Sequence, residues 1–342
     1  MEPLVSILIP AFNAERWIAD AIRSAIAQTW KRKEIIIVDD GSTDHTGPIA
    51  RKFESGGVTV VTQENRGAAA ARNKAFSMSR GDFIQWLDAD DLLGPDKIAK
   101  QMGQLPHRRS NRTLLAAAWG DFYNRIGRAR FCPTSLWTDL APIEWLLKNL
   151  GEGVFLQTAS WLVSRELTDA VGPWNAQLLV DDDGEYFCRA VRLSDGIRFV
   201  PQAKVFYRRV GSTRLSYVGL SNAKLDAHLL SMELQIQNIR SLEDSERVRR
   251  ACLAYMQRYV IYFYPERMDV IRKLKQLAAQ VGGRLQLPRL SWKYAWIQKI
   301  FGWTTAKRAQ LFYNQCKCSV ASVWDSVLHS MESPQRKPEV QH

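Results

Sequence analysis

The chain alternates short apolar runs with stretches of helical spacing. Leu4 to Pro10 is apolar except for Ser6 and reads as a buried strand ending at a proline. Trp17, Ile18, Ala21, Ile22, Ala25 and Ile26 recur at helical spacing, which predicts a helix within 15–29. Ile35-Ile36-Ile37-Val38 predicts a second buried strand, stopping at Asp39-Asp40-Gly41-Ser42. Thr43 or Asp44 can then cap a helix running to about Phe53. Val58 to Val61 predicts a third strand, Asn65-Arg66-Gly67 a turn, and Ala68 to Ser77 a helix. Phe83 to Leu87 predicts a fourth strand, and it runs into Asp88-Ala89-Asp90-Asp91.

Strands alternating with helices imply a parallel sheet with right-handed crossovers, and such sheets bind ligands at the carboxyl ends of their strands. Pro10, Asp39-Asp40 and Asp88 to Asp91 all fall at those ends. Beyond about residue 105 the pattern loosens. Leu105 to Thr113 reads as a basic, polar loop, Trp119 to Phe131 as strand material, and Pro142 to Asn149 as a helix. Val154 to Arg165 is mixed, Asp183 to Leu193 helical, and Arg198 to Val200 and Lys204 to Arg209 are two strands. From Asn222 onward the spacing is helical, with Leu225, Leu229, Met232 and Ile236 on one helix. Val248, Cys252, Met256, Tyr259 and Phe263 fit another. A polar tail begins at Glu332.

The acidic positions carry the candidate chemistry. Asp88, Asp90 and Asp91 lie within four positions after a buried strand, and carboxylates so close repel unless water or a cation compensates. A hard divalent ion fits, because Mg²⁺ takes one or two protein carboxylates and fills its other positions with water and substrate phosphate oxygens. The alternative is a solvated turn leading into the helix that begins near Pro95. An Asp in Asp39-Asp40 could accept hydrogen bonds from a nucleobase or ribose, or simply form an Asx-turn into the next helix. Arg72, on the Ala-rich helix, could pair with a carboxylate or phosphate, or be a solvated charge. Asp181-Asp182-Asp183-Gly184-Glu185 could supply a general base toward a sugar hydroxyl, or mark a helix N-terminus. It lacks the register and distal Glu of an EF-hand, which argues against calcium.

The order of these motifs resembles glycosyltransferase family 2. The residues that carry the resemblance are Val5 to Asn13, Ile37 to Asp44, Asn65-Arg66-Gly67 with Ala71-Arg72-Asn73, and Leu87 to Asp91. It spans about 4–215 and is dense to about Asp96. It implies a GT-A fold, a Rossmann-like mixed α/β sheet flanked by helices, here with a helical C-terminal extension. It also implies an inverting, metal-assisted glycosyltransferase of the hexosyltransferase class that uses a nucleotide-diphosphate sugar. By motif position, Pro10, Phe12, Asp40 and Arg72 would line the nucleoside pocket and Asp88 would approach the ribose. Asp90 or Asp91 would hold Mg²⁺ or Mn²⁺. The family's later motif, an acidic pair followed six residues on by Arg, fits Asp182-Asp183 with Arg189, Asp standing for the usual Glu at 182. Asp183 is then the catalytic base for the acceptor hydroxyl. Tyr207 to Ser216 is similar to the segment that follows, but a histidine common there is absent near Val210, so the resemblance supplies no third metal ligand.

Composition places this chemistry. The net charge is +12, and Val270 to Trp324 contains no Asp or Glu but ten Lys and Arg. That stretch also holds Trp292, Tyr294, Trp296, Phe301, Trp303, Phe312, Tyr313 and Trp324. Basic and aromatic residues on helices suggest a surface lying on an anionic membrane. The plain alternative is a helical appendage with aromatic core and solvated charges. No nucleic-acid motif accompanies the stretch. No run reaches the roughly 18 apolar residues of a spanning helix, and the N-terminus shows no signal-peptide pattern. The five scattered cysteines suggest neither a disulfide framework nor a zinc site, which favours a reducing cytoplasm. The expected organisation is a GT-A domain over 1–220, with a nucleotide-binding half at 1–105 and an acceptor half at 106–220. A helical region follows at 221–331 and a disordered tail at 332–342. The expected acceptor is a glycan or lipid-linked acceptor, in cell-surface polysaccharide or glycolipid synthesis at the inner face of the cytoplasmic membrane. Two other classes compete. One is an inactive relative that binds a nucleotide or membrane as a scaffold, against which the intact acids at 88, 90, 91 and 183 argue. The other is a phosphatase of the haloacid dehalogenase type, whose Asp-x-Asp follows the first strand with Thr or Val next, whereas Leu92 follows here.

Overall fold

The computed structural model describes residues 2–105, 112–209 and 221–332. The expected loop at 105–113, the segment Tyr207 to Ser216 and the polar tail fall largely or wholly outside them, Val210 included. The centre is a mixed nine-stranded sheet. Strand β1 (Val5–Ala11) lies between β2 (Lys33–Asp39) and β4 (Phe83–Trp86), parallel to both, and β3 (Val58–Thr62) continues parallel to β2. Next to β4, β8 (Trp161–Ser164) pairs antiparallel, and β6 (Thr113–Phe122) pairs antiparallel to β8. Then β9 (Gly196–Arg208) runs parallel to β6, and β5 (Leu92–Leu93) lies antiparallel to β9, while β7 (Arg130–Phe131) pairs with β6.

The apolar runs of β1 and β2 do not alternate with polar residues because helices cover both faces. Ile7, Ile9, Ile35 and Ile37 point to one face, where they meet Ile18, Ala21, Ile22 and Ala25 of α1 (Ile18–Ile26). Leu8, Ile36 and Val38 point to the other and meet Ala71 and Ala75 of α3 (Ala68–Met78), whose small side chains let the helix lie close to the sheet. The expected helix after Asp44 is α2 (Thr46–Arg51), with Asp44 accepting the Thr46 N–H at 2.9 Å. The helix foreseen near Pro95 is α4 (Lys97–Met102).

The second half differs from its sequence pattern in two places. The strand material expected from Trp119 to Phe131 is strand only at its ends: β6 starts at Thr113 and stops at Phe122, a 3-10 turn follows at Ile126–Arg128, and β7 covers Arg130–Phe131. The two strands expected at 198–200 and 204–209 are one strand, β9. Its register on β6 shifts between Ala117 and Ala118, so Pro201 to Ala203 bulge out of the ladder. Proline lacks the N–H that a ladder needs, which makes a bulge its natural place.

Helices α5 (Pro142–Glu152), α6 (Arg165–Val171) and α7 (Asp182–Leu193) cover the face shared with α3. Onto them pack α8 (Asn222–Leu242), α9 (Glu246–Phe263) and α10 (Met268–Gln280). Met232, Ile236, Met256, Phe263 and Leu274 are fully buried and join Trp161 and Tyr186 in one apolar cluster. Each such side chain contributes roughly 1.5–3 kcal/mol by leaving water, so this helical region is built into the core. The last helix, α11 (Ala295–Glu332), is interrupted at Gly302, where φ is 81°. Among the described residues no helix is long and apolar enough to cross a membrane.

Candidate active site

Register places the candidate residues. Pro10 pairs with Val38 and Ala11 with Asp39, so β1 and β2 end together, and Leu8 pairs with Trp86 beside them. The chain therefore leaves β1, β2 and β4 at one edge of the sheet. There Phe12 is 44% exposed, while Pro10 is buried within the strand. Asn13 ties the first two ends together: its side-chain oxygen accepts the Thr43 N–H at 2.9 Å, and its own N–H donates to Ser42 Oγ at 3.0 Å.

Asp39 and Asp40 make different contacts. Asp39 Oδ1 accepts the Ser42 N–H at 3.1 Å, an Asx-turn. Asp40 is buried and reaches across to the turn before α3. Its carboxylate accepts Gln63 Nε2 at 2.7 Å, Arg66 N–H at 3.0 Å and Gly67 N–H at 2.8 Å. Gly41, between this Asp and Ser42, has φ +72°, and a Cβ there would sit 2.8 Å from the Asn65 nitrogen. Only glycine lets the two loops approach so closely. Asp40 thus ties the end of β2 to the turn before α3, with about one of the four lone-pair sites of a carboxylate left over.

Arg72 is not a solvated helix charge. It is 6% exposed and lies between the two acidic clusters. Nη2 donates to Asp88 Oδ1 at 2.8 Å and Nη1 to Asp182 Oδ2 at 2.5 Å. Its guanidinium also lies over the Trp174 ring, 4.4 Å from the centroid. Burial works against the cation, but the Asp182 and Asp88 charges outweigh it and raise its pKa. One side chain on α3 thereby joins the end of β4 to the start of α7, whose Asp182 is 110 residues from Arg72 in sequence.

The Asp88 to Asp91 cluster splits. Asp88 is partly exposed beside Arg72, and Asp90 is half-buried. Asp91 is fully buried, and both of its oxygens are taken by protein. Gln157 Nε2 donates to one, and the Arg208 N–H donates to the other at 2.8 Å. Burial, then the charges of Asp90 and Asp88, push its pKa well above the usual carboxylate range. Asp90 is the more exposed of the two metal candidates, whereas Asp91 has a protein donor on each oxygen. Asp91 clamps the acidic loop to β9, where Arg208 Nε also donates to the Asp90 carbonyl at 2.9 Å. The antiparallel pairing of β5 with β9 brings these groups together.

Asp182 and Asp183 open α7. Asp183 Oδ1 accepts the Gly184 N–H at 2.9 Å and Oδ2 accepts the Thr158 hydroxyl at 3.3 Å. Burial, then the charges of Asp182 and Asp181, push its pKa up to about 7, against the pull of Arg72. Such a carboxyl is poised to take a proton near neutrality. Arg189 does not touch the pair; its guanidinium binds Glu185 at 2.6 Å and the Pro173 carbonyl at 3.0 Å, bracing the loop that carries Trp174.

Asp88, Asp182 and Asp183 gather around Arg72, with Asp90 two positions after Asp88, an acidic surface suited to a cation or to polyhydroxylated substrate. Among the described residues no group of three His, Cys, Asp or Glu side chains forms a metal cage. A hard cation held by one or two carboxylates and completed by phosphate oxygens remains compatible with Asp88 and Asp90. Sequence reasoning misses Trp174, Gln157, Thr158 and Arg208, all brought in by long-range packing. One signal was present in Asn73, next to Arg72. Its amide donates to the Trp174 carbonyl at 2.9 Å and accepts the Trp174 N–H at 2.8 Å.

Residues 6–125 match the family model described as Glycosyl transferase family 2. The matched segment is about a third of the chain. It holds Pro10, Phe12, Asp40, Arg72, Asp88, Asp90 and Asp91, and the remaining site residues come from outside it. Glycosyltransferase GlyG of Streptococcus pneumoniae serotype 4 is 28% identical over 222 residues, 61% of this chain and 72% of that protein. TuaG of Bacillus subtilis, a candidate teichuronic acid biosynthesis glycosyltransferase, is 41% identical over 104 residues, 30% of this chain; the alignment spans 41% of that relative's length. The structure of S. aureus TarS residues 1–349 in complex with UDP-GlcNAc superposes with a TM-score of 0.63 at 17% identity, over 83% of this chain and 81% of that one. At that identity the likeness speaks for the fold, the mixed sheet with flanking helices and a helical C-terminal region.

Proposed function

We propose that the chain is an inverting glycosyltransferase that moves a sugar from a nucleotide-diphosphate sugar to a hydroxyl of a glycan or lipid-linked acceptor. The observation that carries the reading is Asp183, a carboxyl pushed up to about 7 and joined through Asp182 and Arg72 to the acids at the carboxyl edge of β1, β2 and β4. Complexes of a fold relative with UDP-GlcNAc support a nucleotide-sugar donor. TuaG supports a role in cell-surface polysaccharide synthesis.

In this scheme the nucleoside packs against Pro10 and the exposed Phe12, in a pocket whose wall Asp40 and Arg72 hold in shape. Asp88 faces the ribose. Asp183 accepts the proton of the acceptor hydroxyl as that oxygen attacks the anomeric carbon from the face opposite the diphosphate. The nucleoside diphosphate leaves and the configuration inverts. A divalent ion, Mg²⁺ or Mn²⁺, would be held by Asp90 with Asp88 alongside and would neutralise charge on the diphosphate. Turnover of a nucleotide-sugar panel with Mn²⁺ or Mg²⁺ tests the reading. Asp90→Ala should abolish the metal-stimulated part, and unchanged turnover would remove Asp90 from the metal site.

The C-terminal region supports a peripheral seat on an anionic membrane. Trp303 packs edge-on against Tyr264, and Lys307 is buried in an ion pair with Glu266 at 2.7 Å, so this side of α11 docks on the body. Lys307 is therefore not available to lipid, unlike the rest of the exposed bases around it. Trp292, Trp296, Ile300, Phe301, Phe312 and Tyr313 are exposed, with Arg289, Lys293, Lys299 and Arg308 exposed among them. Apolar rings among cations, with no acid from 270 to 324, match a surface of anionic lipid headgroups.

A further inference from the structure

Asp181 stands immediately before the acidic pair and takes no part in the scheme above. Its backbone is left-handed, φ 57°, a conformation that costs free energy in any residue other than glycine, though less in Asp than in most. Its side chain turns away from Arg72 and into the interface between α8 and α9. Ser231 Oγ donates to Asp181 Oδ2 at 2.7 Å, Gln235 Nε2 donates at 2.8 Å, and the Tyr255 hydroxyl lies at 3.3 Å. Gln235 Nε2 also reaches Ser231 Oγ and Tyr255 Oη, each at 2.9 Å. Ser231, Gln235 and Tyr255 are buried, 5% exposed or less. The neighbouring residues of these helices, Met232, Ile236, Cys252 and Met256, are apolar and fully buried.

Three polar groups inside an apolar helix interface are costly unless each finds a partner, and together they fix one geometry. Here they converge on a single carboxylate. On the far side, Asp181 folds back over the first turn of α7. A Cβ at Gly184 would lie 2.3 Å from Asp181 Oδ1, so the glycine makes room for that carboxylate. The Asp181 carbonyl accepts the Glu185 N–H at 3.2 Å, starting the helix. Asp182 and Asp183 hang between this anchor and Arg72.

We propose that Asp181, held by Ser231, Gln235 and Tyr255, is a positioning residue that fixes Asp183 for proton abstraction, which makes α8 and α9 part of the catalytic unit. The inference rests on the reading of Asp183 as the base. It assigns a role to residues outside the segment that matches the family model. The charged and titratable groups around the pair include Asp182 and Cys188 on α7, Arg72 on α3, Asp88 after β4, His228 on α8, and Tyr255 and Tyr259 on α9.

The test uses the full chain with UDP-, GDP- and dTDP-linked hexoses and Mn²⁺, following nucleoside diphosphate release. Asp181→Asn keeps one acceptor oxygen but removes the charge on which Ser231, Gln235 and Tyr255 converge, which weakens all three hydrogen bonds. It should lower kcat at least about tenfold while the donor KM stays within about twofold, the mark of a group acting on the chemical step. The exchange Asp181→Asn with Gln235→Glu restores an amide facing a carboxylate and should recover most of the lost kcat. A milder pair, Ser231→Ala with Tyr255→Phe, removes donors without adding bulk and should lower kcat in the same direction. Unchanged kcat in Asp181→Asn, or no recovery in the exchanged pair, overturns the proposal. Hydrogen exchange at residues 181–187 gives a readout free of activity. It should quicken in Ser231→Ala with Tyr255→Phe, and unchanged exchange overturns the anchoring. A wild type that turns over none of the donors defeats the functional reading instead, and exchange then still decides the anchor.

Discussion

Arg72 shows how one residue can hold a site together. It was visible in the sequence as part of a motif, but its partners were not, because Asp88 and Asp182 reach it only through the packing of α3 against β4 and α7. Its planar fork bridges two carboxylates and lies over Trp174, and a lysine offers neither the fork nor the stacking. Arg72→Ala leaves two partly buried acids facing each other, and should cost about 3 kcal/mol of stability as well as activity. Arg72→Lys should fold with a smaller loss yet fall at least about 100-fold in kcat/KM, because a misplaced reacting group costs that much. Urea unfolding and steady-state kinetics separate the two effects. Asp183 gives a pH prediction of definite sign. With its pKa raised to about 7 by burial and by Asp182 and Asp181, it is protonated below that pH, so kcat/KM should rise with pH and level above about 7. The same shift makes the folded state bind a proton that the unfolded state releases near pH 4. The wild type should therefore lose stability relative to Asp183→Asn as pH rises from about 4 to 7, a trend that thermal melts at successive pH values can follow.

At the scale of elements, the first half was legible because its strands are buried on both faces and its helices are amphipathic. The apolar runs at 4–10 and 35–38 could be little else than central strands, and they fall in β1 and β2, whose ends lie at one edge of the sheet. Helices α8 and α9 were legible from spacing alone. What could not be read was pairing between distant elements. The clamp of Asp91 by Gln157 and Arg208 depends on β5 lying against β9, two residues long and without a pattern of its own. The single strand β9 was divided in the sequence by Pro201, which sits in a bulge. Gly41 makes an element-level prediction. Gly41→Ala introduces a Cβ at a left-handed position 2.8 Å from backbone, so it should destabilise by about 2 kcal/mol or more and loosen nucleotide binding, read by denaturation and by thermal shift with UDP.

For the whole molecule, the sheet brings the ends of β1, β2 and β4 to the acidic pair that opens α7, and the C-terminal helices pack behind it. The sequence indicated an apolar and basic last third, and the structure divides it into a docked side, with Trp303 and Lys307, and an exposed side, with Trp292, Trp296 and Phe301. Vesicle flotation follows from that division. The full chain should float with vesicles containing phosphatidylglycerol and not with pure phosphatidylcholine, and Trp292→Ala with Trp296→Ala and Phe301→Ala should weaken flotation at least about tenfold. Equal flotation by the triple variant would move the contact elsewhere. The most direct test of the account is turnover of a nucleotide-sugar panel by wild type and Asp183→Asn, measured as nucleoside diphosphate release with a hydroxyl acceptor. The account predicts that the wild type turns over one donor class and that Asp183→Asn loses at least about 1,000-fold in kcat while still binding that donor. Turnover in Asp183→Asn within about twofold of wild type would contradict it.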